Sequence, residues 1–123
     1  MANTTLSLSD RFQIAVTAYE SGDLIEAVSV GEALLAETPE FADAHNLLSA
    51  IAQDRGRLAD AELYARGALK IDSGNPIYLN TLGNALRRLG RTDDAIDVFE
   101  QARRGMPDQP DILFNLGNGR RMT

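Results

Sequence analysis

The apolar residues of this chain recur at the spacing of an amphipathic helix. Between positions 76 and 109 they stand three or four positions apart, stop at Gly90, and then resume. This spacing places them on one face of each of two helices, and a glycine suits the left-handed conformation with which many helices end. The pattern predicts no strand and predicts helices over residues 8–21, 24–37, 42–55, 58–71, 76–89, 92–105 and 110 to about 121.

The same pattern returns every 34 residues. Three sets of residues recur at this interval: Gly22, Gly56 and Gly90; Ala27, Ala61 and Ala95; and Ile14, Leu48, Leu82 and Leu116. A period of this length is typical of a helical hairpin repeated along the chain. The predicted divisions are a flexible N-terminal segment, 1–7, and a repeat domain, 8–123, made of copies over 8–41, 42–75 and 76–109 and a partial copy over 110–123.

The third copy resembles the tetratricopeptide repeat, a 34-residue helix-turn-helix with a fixed ladder of small and large residues. The matching residues are Leu82, Gly83, Ala95, Phe99, Ala102 and Pro107. The first copy departs from this ladder, with Ala15 for a glycine and Gly31 for a phenylalanine, and we interpret it as a capping copy. The resemblance implies an all-α protein, an α-solenoid of helical hairpins wound into a right-handed superhelix.

The resemblance also implies where a partner binds. In this family the first helix of each hairpin lines a concave groove, which holds an extended peptide or a partner's helix. Carried onto this chain, the groove residues are Phe12, Val16, Tyr19, Asn46, Gln53, Asn80, Asn84, Arg87, Arg88 and Asn118. Helical spacing supports part of this set, because Asn80, Asn84 and Arg87 lie on one stripe, opposite a stripe of leucines. We expect that opposite stripe to be core: Leu79, Leu82, Leu86 and Leu89.

Two interpretations of the groove chemistry are open. The asparagines could bond to the backbone of an extended peptide, or they could be ordinary polar surface. Arg87 and Arg88 could attract an acidic segment, or they could stabilise the negative end of their helix. The carboxylate clamp of the chaperone-binding members is absent, because other side chains occupy its positions: Phe12, Val16, Leu47, Ile77 and Thr81.

The fourth copy is incomplete, so Leu113, Phe114 and Leu116 are expected to lack a covering helix. Either the chain is the N-terminal piece of a longer array, or this end docks on another copy and forms a homo-oligomer. Charge permits the second explanation, because residues 1–54 carry nine acids and one base and the remainder carries nine acids and 11 bases. The same asymmetry could steer another partner or be solvated helix surface.

Composition argues against several further classes of ligand and partner. The 123 residues include no cysteine and one histidine, His45, which we interpret as a packed side chain rather than a metal ligand. The net charge of −6 argues against nucleic acid and anionic membranes as partners. Because the chain has no cysteine and one histidine, we expect neither a metal nor a cofactor. No apolar run approaches the length of a membrane span and the start lacks a signal-peptide pattern, so we expect a cytoplasmic protein without membrane insertion.

These observations favour a non-catalytic adaptor or scaffold that binds a protein or peptide partner in its groove. One alternative is a scaffold that assembles with itself through the incomplete fourth copy. Another is the substrate-docking or regulatory part of a larger enzyme, such as a bacterial glycosyltransferase or sulfotransferase that carries such repeats.

Overall fold

The computed structural model describes residues 6–105, which contain six α-helices and no strand. The helices are α1 (Leu8–Glu20), α2 (Leu24–Glu37), α3 (Ala42–Asp54), α4 (Leu58–Ile71), α5 (Pro76–Arg88) and α6 (Thr92–Gly105). Each of these helices begins and ends within one residue of its predicted bounds. The helix predicted from residue 110, the groove residue Asn118 and the end residues Leu113, Phe114 and Leu116 lie outside the described residues.

Local sequence explains where three of the helices begin. The hydroxyl of Ser7 accepts a hydrogen bond from the backbone N–H of Asp10 at 3.0 Å, which caps α1. The Asp23 carboxylate accepts from the N–H of Glu26 at 3.1 Å and caps α2 in the same way. Asn75 caps α5, whose first residue is a proline that has no N–H to leave unpaired.

Glycines end the first helix of each hairpin. Gly22, Gly56 and Gly90 have φ angles of 87°, 73° and 85°, in the left-handed region that glycine adopts without a steric penalty. Their spacing of 34 residues therefore places the same tight turn between α1 and α2, α3 and α4, and α5 and α6.

The hairpins stack in chain order into a solenoid. The two helices of each hairpin pack together, and the second helix of one hairpin packs against the first helix of the next. The first helices also contact one another, α1 with α3 and α3 with α5, whereas α2, α4 and α6 make no such contacts within residues 6–105. Because the first helices approach more closely, their side is the inner, concave side of the stack.

The predicted core is confirmed with one correction. Leu79, Leu82 and Leu86 are buried, but Leu89 is 37% exposed because it lies one residue beyond the end of α5. His45 is half-buried, and its Nε2 lies 3.0 Å from the carbonyl oxygen of Pro39. No helix among those described is long and apolar enough to cross a bilayer.

Candidate partner-binding groove

The N-terminal part of the groove consists of aromatic and aliphatic side chains on α1. Phe12, Val16 and Tyr19 are half-buried and pack against the core cluster that contains Leu47. The ring of Phe12 also lies 5.3 Å from that of Phe41, centroid to centroid, in a tilted arrangement. Much of the apolar surface of these three residues therefore holds the first two hairpins together, and the remainder faces solvent.

Two tyrosine–aspartate hydrogen bonds cross from one hairpin to the next. The Tyr19 hydroxyl on α1 donates to Asp54 Oδ2 on α3 at 2.7 Å, and the Tyr78 hydroxyl on α5 donates to Asp43 Oδ1 on α3. Burial raises the pKa of Tyr19 to about 12, and Asp54 contributes through its hydrogen bond and its charge. Burial and Asp43 likewise raise the pKa of Tyr78.

Gln53 and Arg88 form a second link between α3 and α5. Gln53 is buried, and its Nε2 donates to the carbonyl oxygen of Thr81 at 3.1 Å. Arg88 Nη1 donates in turn to the carbonyl oxygen of Gln53 at 2.7 Å. Both residues stand on the predicted groove stripe, yet their polar groups join consecutive hairpins and leave little of Gln53 for a ligand.

The central part of the groove keeps partly exposed polar side chains. Asn46 on α3 and Asn80, Asn84 and Arg87 on α5 are half-buried. Two of their atoms are buried without a hydrogen-bond partner, Asn46 Oδ1 and Arg87 Nε. A buried polar atom without a partner costs about 1–3 kcal/mol, so a rearrangement that satisfied these atoms would be favourable.

Charge is distributed unevenly along this groove. Glu20 and Asp54 are exposed at the end of α1 and α3, whereas Arg87 and Arg88 occupy the corresponding end of α5. The arrangement offers amide groups for a peptide backbone in the middle and a guanidinium for a carboxylate at one side.

Sequence reasoning missed the cross-hairpin role of these side chains, although the sequence contains a signal. Tyr19 and Asp54, Asp43 and Tyr78, and Gln53 and Arg88 are each separated by 35 residues, one more than the repeat. An offset of one residue from the 34-residue period places each side chain beside its hydrogen-bond partner on the first helix of the neighbouring hairpin.

Comparison with known proteins identifies the family of the chain. Two family models, each described as a tetratricopeptide repeat, match residues 12–76 and 76–118. The first match alone spans more than half of the chain, so the chain belongs to the tetratricopeptide repeat family. Such repeats are in general non-catalytic modules for protein interaction. No curated protein matches the chain.

Solved structures share the fold at low sequence identity. The first tetratricopeptide domain of human RPAP3 superposes with a TM-score of 0.89 at 13% identity, over 94% of this chain and 91% of that one. The first such domain of Spaghetti (RPAP3), solved with the HSP90 peptide SRMEEVD, gives 0.87 at 13% identity, over 93% and 90%. A Thermobaculum terrenum O-GlcNAc transferase mutant gives 0.85 at 23% identity, over 94% of this chain and 23% of that one.

Proposed function

We propose that this chain is a cytoplasmic, non-catalytic adaptor or scaffold module that binds an extended peptide or a partner's helix along α1, α3 and α5. The observation that carries the proposal is the row of half-buried amide and guanidinium side chains on the inner helices, Asn46, Asn84 and Arg87 among them. The structure of the Spaghetti domain with an HSP90 peptide supports the proposal, since it shares this fold.

The ligand is expected to differ from a chaperone tail. The positions at which chaperone-binding relatives hold a terminal carboxylate carry apolar side chains on α1, half-buried Phe12 and Val16. Leu47 on α3 is buried, and the Thr81 hydroxyl on α5 donates to the carbonyl oxygen of Ile77 at 3.1 Å. A peptide with apolar side chains near α1 and backbone groups opposite the asparagines fits this surface better than an acidic terminus.

Selection followed by calorimetry tests the proposal. Random 12-residue peptides displayed on phage are selected on the full chain, and an enriched peptide is titrated against N80A/N84A. Two lost hydrogen bonds of about 0.5–1.5 kcal/mol each predict roughly 5-fold to 100-fold weaker binding. The matched control is Q101A, which removes an exposed amide from α6 and should leave the affinity unchanged.

Helicity must be checked in parallel, because a variant that unfolds also loses binding. Far-ultraviolet circular dichroism of N80A/N84A should overlay that of the parent chain. An enriched peptide that binds both chains with the same affinity would contradict the groove proposal. The two alternatives, self-assembly through the fourth copy and docking within a larger enzyme, remain hypotheses beside it.

A further inference from the structure

A separate cleft lies between the first and second hairpins, on the side of α2 and α4. Its volume is about 70 Å³, and α3 forms its floor. Its lining includes Val28 and Glu32 of α2, Ile51 of α3, and Asp60 and Tyr64 of α4. None of these residues belongs to the groove on α1, α3 and α5.

At the next junction, between the second and third hairpins, an ion-pair network bridges the corresponding position. Glu62 on α4 accepts from Arg91 Nη1 at 2.9 Å and from Arg66 Nε at 2.8 Å. Arg91 also donates to Asp94 at 3.2 Å. The network therefore connects α4 with the start of α6 across the junction between the second and third hairpins.

The junction between the first and second hairpins, here the first junction, lacks this network within the described residues. The residues 34 positions earlier than Glu62, Arg66, Arg91 and Asp94 are Val28, Glu32, Arg57 and Asp60. Valine cannot replace the bridging carboxylate, and Glu32 reverses the charge of the arginine at its position. Neither Glu32 nor Asp60 forms an ion pair with any residue between positions 6 and 105, so no bridge closes the cleft.

The two carboxylates act on one group of the cleft, the Tyr64 hydroxyl. Burial raises the pKa of the Tyr64 hydroxyl, and the negative charges of Glu32 and Asp60 raise it further. The two basic residues of the lining, Arg55 and Arg57, lie in the exposed turn between α3 and α4. Around the Tyr64 hydroxyl the cleft thus combines two negative charges with an aromatic ring and an apolar wall, and its basic residues line it at the α3–α4 turn.

We propose that this cleft receives a basic side chain of a partner protein, arginine in preference to lysine. The alkyl stem of arginine would cover Val28 and the ring of Tyr64, and its guanidinium would lie beside Glu32 and Asp60. Arginine is preferred because its flat, weakly hydrated head group stacks on an aromatic ring. The acidic surplus of residues 1–54 attracts a basic partner to this hairpin.

A nuclear magnetic resonance titration of the ¹⁵N-labelled full chain tests the proposal with small probes. N-acetyl-arginine methylamide should cause saturable shifts of the Val28, Glu32 and Tyr64 amides, and N-acetyl-glutamate methylamide should cause none. In E32Q/D60N the dissociation constant for the arginine probe should rise by about fivefold or more, since two ion pairs are lost. The matched control, E40Q/D93N, changes the charge equally at exposed positions elsewhere and should bind as the parent does.

A second variant separates occupancy of the cleft from charge alone. V28E/E32R restores the residue types of the network that bridges the next junction, and should abolish the saturable shifts while circular dichroism remains unchanged. Unaltered shifts in V28E/E32R, shifts with the glutamate probe, or no shifts with the arginine probe in the parent would each overturn the proposal. The peptide titration with N80A/N84A probes other residues, so either proposal can fail alone.

Discussion

The first hairpin, α1–α2, and the third, α5–α6, fill the space between their helices in opposite ways. In the third hairpin the phenyl ring of Phe99 is fully buried against Gly83, where an added Cβ would lie 2.4 Å from Phe99 Cε1. The first hairpin has Ala15 and Gly31 at the equivalent positions. Its space is filled from outside, because Leu48 of α3 packs over Gly31, with Cδ2 3.1 Å from the position of an added Cβ.

The second hairpin shows an intermediate arrangement. Ser49 and Ala65 occupy the same two positions, and both are fully buried. The Ser49 hydroxyl donates to the carbonyl oxygen of Ala61 at 2.7 Å, so a hydrogen bond joins α3 to α4. One backbone geometry is therefore compatible with a large side chain, a polar link or a neighbour's leucine, provided that total volume is conserved.

The largest expected effect of a substitution is in the third hairpin, where the hairpin's own Phe99 fills the space between its helices. Phe99→Ala should lower the free energy of unfolding by about 3–5 kcal/mol, because it removes a fully buried ring and leaves a cavity beside Gly83. Urea unfolding followed by circular dichroism measures the change. A loss below about 1 kcal/mol would show that the third hairpin does not depend on this ring.

A paired glycine experiment tests the comparison directly. Gly83→Ala should destabilise the chain by about 1–3 kcal/mol, because the new methyl group meets a ring that is enclosed on all sides. Gly31→Ala should remain within about 1 kcal/mol of the parent, since the end of the Leu48 side chain can shift and alanine favours the helix by about 1 kcal/mol.

Equal losses in these two variants would contradict the distinction between the hairpins. The same urea measurements serve both variants, and each is the control of the other. Helicity of both should match that of the parent, because each position lies inside a helix that alanine can continue.

The fold was predictable because the residues that determine its turns and its core repeat. The positive-φ glycines that end the first helix of each hairpin and the small residues of the core recur with the 34-residue period. The side-chain caps of Ser7 and Asp23 do not, because Phe41 and Arg57 stand at the equivalent positions. Leu89 was misplaced because the apolar stripe continues one residue beyond the last turn of α5.

For the groove, the sequence predicted only the side of the helix on which each side chain lies. Helical spacing indicates that Tyr19, Gln53 and Arg88 point toward the inner side, but it gives no distance to the next hairpin. The structure shows that all three bond across that distance. The sequence shows that Val28 stands 34 positions before Glu62. That a carboxylate at this position forms an ion pair across the junction is known only from the structure, in which Arg91 bonds to Glu62.

The smallest expected effect is the difference in pKa between Tyr19 and Tyr78, the two tyrosines that bond from one hairpin to the next. Tyr19 of the first hairpin has a pKa of about 12, above the value near 10 of an unfolded chain. A raised tyrosine pKa means that folding favours the neutral form. The contribution of Tyr19 to folding stability is therefore fully present below about pH 10, and it is lost as the pH rises through the pKa of Tyr19 in the folded chain.

Absorbance at 295 nm follows this ionisation in Y64F/Y78F, where Tyr19 is the one tyrosine left. Adding Asp54→Asn should lower the midpoint only in part, because burial is the largest cause of the shift and Asp54 the second. In Y19F/Y64F the remaining Tyr78 should titrate at higher pH than Tyr19, since Tyr78 is buried and Tyr19 half-buried. The reverse order would mean that the α5 side of the groove opens more readily to water than the α1 side.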